Sequence, residues 1–295
     1  MKSLQEIIDR AKQKGPVGMA VVLPHDLITL LAIKEGIDAQ LIRPELFGDR
    51  ALILPLLEEA GLSEKEILLS HDENGALGQA IASVREGRNK LLMKGSIPTP
   101  ELLRAVLDKE KGLGAGKVCS HAVVCEIPDF GRLLIITDGG LNVLPTVDEK
   151  ADIIKNAVAL AHALEIGLPK VALLASIEEV STRLPATTDA AILTQMARRG
   201  GIKGAVVDGP LAIDNIVSPQ AAQKKSIQSE VAGQADIIVV PSVEVGNVLG
   251  KSLAYFANSV NASIVLGARA PIILPSRAGK IESKWASIAL GSLMV

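Results

Sequence analysis

Short runs of Val, Ile, Leu and Ala recur along the chain. Each is closed by a polar turn and followed by a segment apolar at helical spacing. Alternating strand and helix is the signature of an α/β layer structure. Its parallel strands are covered on both faces and so read as unbroken apolar runs. The runs at 17–23, 39–42, 67–69 and 90–93 predict four strands in the first third. Helices are expected between them, from 25 to about 35 with Gly36 as C-cap, from 49 to 60, and up to 86 with Gly87 ending it. The rhythm returns with strands expected at 170–174, 204–208, 236–240 and 263–266. Helices near 189–199, 220–231 and 243–257 lie between them. Hydrophobic residues make up 48% of the chain but aromatics only 2%, so the core must be aliphatic.

One stretch breaks the parallel pattern. Strands at 118–125 and 133–137 are joined by Pro128-Asp129-Phe130-Gly131, which predicts an antiparallel hairpin. A chain of 295 residues suits two domains, and this hairpin is a natural crossing point between them.

Composition excludes several classes of function. The net charge is -2 with both signs interspersed, and no basic stripe or aromatic platform marks nucleic-acid binding. No uninterrupted apolar span approaches the roughly 18 residues a membrane helix needs. The first fifteen residues read as an amphipathic charged helix, not a signal peptide. Cys119 and Cys125 form neither a metal-ligand set nor a disulfide framework, and His25, His71, His121 and His162 share no metal-binding spacing. A reduced cytoplasmic location is expected, with no metal.

Candidate site residues fall on the turns after strands, where open α/β sheets place ligands. His25 and Asp26 follow the first strand, and Asp26 reads first as a helix cap. Lys94, Gly95 and Ser96 follow the fourth, with Thr99 as the expected N-cap and Pro100 as first helical residue. A lysine, a glycine that admits close backbone approach and two hydroxyls at a helix start can hold a phosphate. The KGLGAGK stretch at 111–117 precedes a strand instead of following one, so it reads as a connection and not as a dinucleotide fingerprint. Asp138 and Asn142 leave the strand at 133–137, ahead of a capping box at Thr146 and Glu149. Further polar loops are STRLPATTD at 181–189, VDGPLAIDN with Asp208 and Asn215, and PSVEVGNVLGK with Glu244, Asn247 and Lys251 on one helix face.

The last arm carries the sharpest constellation. A short strand at 271–274 is followed by a break at 275–279 and then by a helix apolar at Ile281, Trp285, Ile288, Ala289 and Leu293. Ser276 and Arg277 thus sit on a strand-to-helix turn. Unpaired backbone N–H groups and a forked guanidinium there suit a phosphate or carboxylate.

Taken together, LMKG followed by Thr99, TDGGLNVLPT, PATTDAAIL, VDGPLAIDN, VAGQADIIVVP with EVGNVLGKSL, and the late SRA resemble the phosphate acetyl/butyryl transferases, and the butyryl branch most. The resemblance covers nearly the whole chain. It implies two α/β domains with a cleft between them, as in the isocitrate and isopropylmalate dehydrogenases. The C-terminal arm returns to the first domain, giving 1–124 plus 263–295 and 125–262. It implies acyl transfer between coenzyme A and inorganic phosphate in a ternary complex, with the coenzyme A ester as substrate, no other cofactor, and a homodimer or larger homo-oligomer. Arg277 would bind phosphate and stabilise the transition state, Ser276 would hydrogen-bond the thiol or phosphoryl group, and Gly95, Ser96 and Thr99 would seat phosphate. Acetyl-specific relatives carry an Asp where this chain has Ser283. Glu282 beside it is the substitute base, unless local cations depress the thiol pKa enough to need none. A non-catalytic acyl-CoA-binding protein and an acetyl-specific transferase are the alternatives. An oxidoreductase on the same fold would need a metal-binding Asp cluster and a nucleotide loop, and the sequence offers neither.

Overall fold

The computed structural model describes residues 1–64, 68–70, 75–276 and 279–295, with backbone alone at 68–70. It divides into two compact units. The first is Leu4–Cys119 with Asn261–Val295, and the second is Met1–Ser3 with Ser120–Val260.

The first unit runs α1 (Leu4–Lys12), β1 (Val17–Val22), α2 (Leu27–Asp38), β2 (Ile42–Phe47), α3 (Arg50–Ala60), β3 (Leu68–Ser70), α4 (Ala76–Arg85), β4 (Leu91–Lys94) and α5 (Thr99–Val106). The second runs β5 (Ser120–Glu126), β6 (Leu133–Thr137), α6 (Val147–Ala163), β7 (Lys170–Leu174), α7 (Pro185–Arg198), β8 (Val206–Leu211), α8 (Ile213–Val217), α9 (Pro219–Lys224), β9 (Ile237–Val239) and α10 (Val243–Phe256). The chain then returns through β10 (Val260–Leu266), β11 (Ile272–Ile273) and α11 (Ile281–Leu293).

In the first unit the strands lie in the order β3-β2-β1-β4-β11-β10. All neighbours are parallel except β10 and β11, which run antiparallel. α11 packs on α1 and α2. Its last turn is closed by Lys14, whose ammonium donates to the carbonyls of Leu293 at 2.7 Å and Val295 at 3.0 Å. A cation at the end of a helix meets the negative pole of its dipole. In the second unit the order is β5-β6-β9-β7-β8, with the β5–β6 hairpin antiparallel and the rest parallel. Its core packs Cys125, Leu134, Ile136, Ala172, Ile216 and Ile238. The strands of both units are aliphatic, as sheets covered by helices require.

Several boundaries differ from expectation, each for a physical reason. The second strand is β2, which shares only Ile42 with the run expected at 39–42. It carries Pro44 beside Met19 of β1, but the three residues of β3 pair only with Glu45, Leu46 and Phe47, so Pro44 lies outside that ladder. Gly36 does not end α2. It is buried inside the helix, where a Cβ would come 2.7 Å from Ile42 Cδ1, so its hydrogen lets α2 lie close over β2. α5 takes Pro98 and not Thr99 as its N-cap. The helix expected at 220–231 is the shorter α9, with α8 just before it. Ser218 caps α9 by accepting from the Ala221 N–H, and Ser226 adopts φ 55°, which ends it. β8 continues through Gly209 and Pro210, which the outermost strand of its sheet tolerates.

Both cysteines are outside any disulfide and buried. Burial pushes the Cys125 thiol up to about 12, because a thiolate would lose its water among the aliphatic side chains of the second unit. The unfolded thiol ionises near about 8.5. The raised folded value therefore contributes stability that is fully present below that pH and is lost as pH rises toward about 12. Urea unfolding between pH 8 and 10.5 is expected to show the wild type losing stability faster than Cys125→Ala. Parallel pH profiles for the two proteins would refute it.

Candidate active site

Two clusters of the expected residues form at the carboxyl ends of strands, one in each unit. In the first unit, Lys94 closes β4 with its side chain only 3% exposed and its ammonium directed to the Gly95 carbonyl at 3.3 Å. The next two residues are tied to the end of β1. The Gly95 N–H donates to the Val22 carbonyl at 2.9 Å, and the Ser96 N–H to the Leu23 carbonyl at 2.7 Å. A Cβ on Gly95 would run into the carbonyl oxygens of Val22 and Leu23, so only glycine lets the two strand ends close like this. The turn leaves Ser96 half-buried and hands the chain to α5, whose first residue, Thr99, is half-buried as well.

Asp26 meets this turn from the neighbouring strand. It caps α2 through Oδ1, which accepts from the Thr29 N–H at 2.8 Å. Its Oδ2 accepts from the hydroxyls of Thr29 at 2.7 Å and Ser96 at 3.3 Å. Lys284, in the first turns of α11, reaches the Thr29 hydroxyl at 3.2 Å. Burial pushes the Lys284 ammonium below the usual lysine range, and the negative charge of Asp26 works against that shift.

In the second unit, Asp138 follows β6 and is 2% exposed. Its carboxylate gathers the following loop, accepting from the N–H groups of Gly140 at 3.0 Å, Leu141 at 2.9 Å and Asn142 at 3.3 Å, and from the Asn142 amide at 2.6 Å. Asp138 and Asn142 thus form one unit of structure. His121 of β5 lies beside the loop, with its Nδ1 buried and without a partner among the described residues. Burial pushes its imidazole below the usual histidine range, against the pull of Asp138, so the ring is neutral at pH 7. On the other side the loop touches α10, where a Cβ on Gly139 would come 2.8 Å from the Gly246 carbonyl carbon. Thr187 and Asp189 of the PATTD stretch are tied inward. Thr187 holds the Ser181 backbone, and Asp189 pairs with the buried Lys150 at 2.6 Å.

The other described candidates sit on β8, α8, α10 and α11 and at Ser276. Asp208 lies inside β8 and not beyond its end, 4.0 Å from Arg198. Asn215 is fully buried in α8 with its amide on Glu178, which also pairs with Lys225 at 2.8 Å. Glu244, Asn247 and Lys251 are exposed on α10. Ser276 is exposed, with its carbonyl accepting from the Gly279 N–H at 3.1 Å, and Arg277 lies outside the described residues. Glu282 is exposed on the first turn of α11, while the Ser283 hydroxyl accepts from the Asn261 N–H at 3.4 Å at the start of β10. Among the described residues no group of three or more His, Cys, Asp or Glu is arranged to hold a metal.

Sequence reading missed Lys284, Thr29 and the second bond of Asp26. One signal was present for the lysine. Lys284 falls on the buried stripe that runs from Ile281 to Ile288, where a charge requires a buried partner.

The family model described as phosphate acetyl/butaryl transferase matches residues 63–291. A phosphate butyryltransferase of Clostridium beijerinckii is 40% identical over 295 residues, covering 99% of this chain and 98% of that protein. A phosphate acetyltransferase of Thermotoga maritima is also 40% identical, covering 98% and 99%. Among solved structures, a branched-chain phosphotransacylase from Enterococcus faecalis superposes with a TM-score of 0.83 at 28% identity, covering 94% of this chain and 98% of that one.

The glycine contacts give a direct test. Gly95→Ala is expected to destabilise the protein by about 1–3 kcal/mol through overpacking against the two carbonyls. Gly78→Ala, on α4 with open space around its Cβ, is expected to stabilise it by about 0.5–1 kcal/mol. Chemical denaturation of both variants beside the wild type measures this, and equal stabilities would contradict the close approach at Gly95.

Proposed function

The chain belongs to the phosphate acetyl/butaryl transferase family, and from that membership we propose that it is a phosphate acyltransferase favouring butyryl or a similar short chain. The reaction is acyl-CoA plus phosphate giving acyl phosphate plus free coenzyme A, reversibly. The observation that carries it is the glycine-dependent turn of Lys94, Gly95 and Ser96 at the end of β4, within a chain similar over its whole length to transferases of this reaction.

The chemistry asks for little beyond such a turn. A phosphate oxygen attacks the thioester carbonyl, the carbon–sulfur bond breaks through a tetrahedral oxyanion, and coenzyme A leaves as a thiolate. Two anionic partners must be held together, so cations and fixed donors matter more than a protein nucleophile. Binding both in one complex is worth about 7–11 kcal/mol, and one well-placed oxyanion donor about 2.7–4 kcal/mol. In our reading Lys94, Gly95, Ser96 and Thr99 seat the phosphate. Ser276 hydrogen-bonds the thiol or phosphoryl group, and Arg277 stabilises the transition state. Asp138 and Asn142 shape the loop that follows β6. Glu282, exposed on α11, is the candidate base, whereas the Ser283 hydroxyl is engaged with the β10 backbone.

The acetyl reading stands beside the butyryl one because the Thermotoga acetyltransferase is as similar as the Clostridium butyryltransferase. Thiol release from acetyl-, propionyl-, butyryl- and isobutyryl-CoA, with and without phosphate, separates them. Phosphate-dependent release strongest with four-carbon esters is expected. A preference for acetyl-CoA would move the substrate within the family, and no release from protein that binds coenzyme A would leave the non-catalytic alternative. Arg277→Ala, folded, is expected to lose at least about a hundredfold in turnover.

We further propose a homodimer or larger homo-oligomer in the cytoplasm. Two thiols outside any disulfide suit a reducing compartment, and among the described residues no helix is long and apolar enough to cross a membrane. α10 buries only Gly246 and exposes Val245, Val248, Tyr255 and Phe256, beside the exposed Val143 and Leu144. A second copy covering that face accounts for so much exposed apolar surface on one helix. Sedimentation is expected to show a dimer or larger species that Val248→Glu weakens, and a monomeric wild type would rule it out.

A further inference from the structure

In the first unit the strands lie in the order β3-β2-β1-β4, so chain order reverses between β1 and β4. Open α/β sheets bind ligands at such a switch point, in the crevice outside the carboxyl ends of the strands. Here that place leads into a groove of about 530 Å³ between α4 and α5. Leu23, the residue after β1, and Ile97, just beyond β4, line its mouth. The mouth therefore adjoins the turn of Lys94, Gly95 and Ser96, whose last N–H donates to the Leu23 carbonyl. Leu23 also adopts φ 48°, a conformation in which a leucine persists only where its surroundings hold it. Backbone outliers of this kind gather at ligand sites.

Behind the mouth the walls are apolar, with Ala76 and Ile81 of α4 facing Ala105 of α5 across the groove. Gly78 of α4 lines it too, and a Cβ built there meets no described atom within 4 Å. Glycine weakens a helix, and no close approach of another described segment requires one here. What this glycine preserves is the open width of the groove. α4 and α5 both start from strand ends and run the same way, so Arg85, Asp108 and Lys111 stand at the foot. There the Arg85 guanidinium donates to the Lys111 carbonyl at 2.9 Å, which ties the end of α4 to the segment after α5. The groove is thus apolar near its mouth and charged at its foot.

Only one fragment of the reactants suits such walls. Inorganic phosphate is an anion, and Glu101, exposed in the first turn of α5, sets a carboxylate on the rim that disfavours a second negative charge. The arm of coenzyme A carries amides that apolar walls would leave unpaired. The acyl chain has neither charge nor amide. A chain of a few carbons fills the apolar part, whereas a long one would strip water from Arg85 and Asp108 at the foot.

We propose that the groove between α4 and α5 is the acyl-chain pocket, and that Gly78 sets its width and so the length of chain accepted. This rests on the reading above that the Lys94, Gly95 and Ser96 turn seats the phosphate that attacks the acyl carbon.

The test is kcat/KM for acetyl- and butyryl-CoA at saturating phosphate, in the wild type, Gly78→Leu and Ala105→Leu. Leucine at position 78 fills the groove from α4 without meeting a neighbour at its Cβ, and leucine at 105 narrows it from α5. Each is expected to lower the ratio of butyryl to acetyl efficiency by at least about tenfold, the scale on which a pocket discriminates single methylenes. The KM for phosphate should stay within about twofold. The thermal midpoint of Gly78→Leu should equal or exceed that of the wild type, because leucine is the better helix former. Ala105→Leu carries the test if Gly78→Leu does not fold. An unchanged ratio in the folded variants would put the acyl chain elsewhere and overturn the inference, while phosphate-dependent release by the wild type would keep the functional reading. Equal losses with both esters would also overturn it, since a pocket for the chain must distinguish them. A wild type that releases no thiol from any ester would remove the functional reading, and the inference with it.

Discussion

Two residues of backbone pairing hold the first unit together. β11 is only Ile272 and Ile273, yet it lies between β4 and β10, parallel to one and antiparallel to the other. Through it the end of the chain joins a sheet begun some 250 residues earlier, and α11 is set down on α1 and α2. Closing so long a loop costs conformational entropy that two ladder positions alone would not offset. The offset comes from burial. Ile272 and Ile273 are fully buried, as are Ile288, Ala289 and Leu290 of α11. Lys14 then fastens the last carbonyls. The same closure brings Lys284 to Thr29 and so to Asp26, which makes the polar cluster behind Ser96 a consequence of the sheet.

The two candidate loops are organised by a common device. A carboxylate at the end of a strand collects nearby donors, Asp26 those of Thr29 and Ser96, Asp138 those of residues 140 to 142. A glycine then lets a second backbone come close, Gly95 against the end of β1 and Gly139 against Gly246 of α10. A carboxylate satisfied by several donors is rigid, because moving any donor leaves a buried charge short of partners. Both loops are therefore shaped before any ligand arrives. Prior ordering of this kind is what a reaction between two anions gains most from, since positioning and fixed dipoles supply most of its barrier reduction.

The strand-and-helix alternation, the aliphatic core, the β5–β6 hairpin and the capping box of α6 were legible in the residues, because each depends on local pattern. So was the turn of Lys94, Gly95 and Ser96, whose composition announces close backbone approach. β2 was misplaced because Pro44 and Glu45 obscure its apolar run, and only pairing with β1 and β3 makes it a strand. Gly36 looked like a stop signal and is a contact point, since a glycine reads the same at a cap and over a neighbouring strand. Asn215 stands out in the sequence only as a polar residue of a loop, and its bond to Glu178 appears only in the fold.

The sequence by itself determined the α/β class, the places where strands end in polar turns, and, through its ordered motifs, the reaction family. Those follow from side-chain chemistry and short-range periodicity, which travel with the residues. Only the tertiary structure decided which polar side chains become partners. Asp26, Thr29, Ser96 and Lys284 are spread over nearly the whole chain, and no spacing rule relates them. They meet because burying aliphatic surface brings α11 back over α2, and a charge carried into that interface must find an opposite charge within reach.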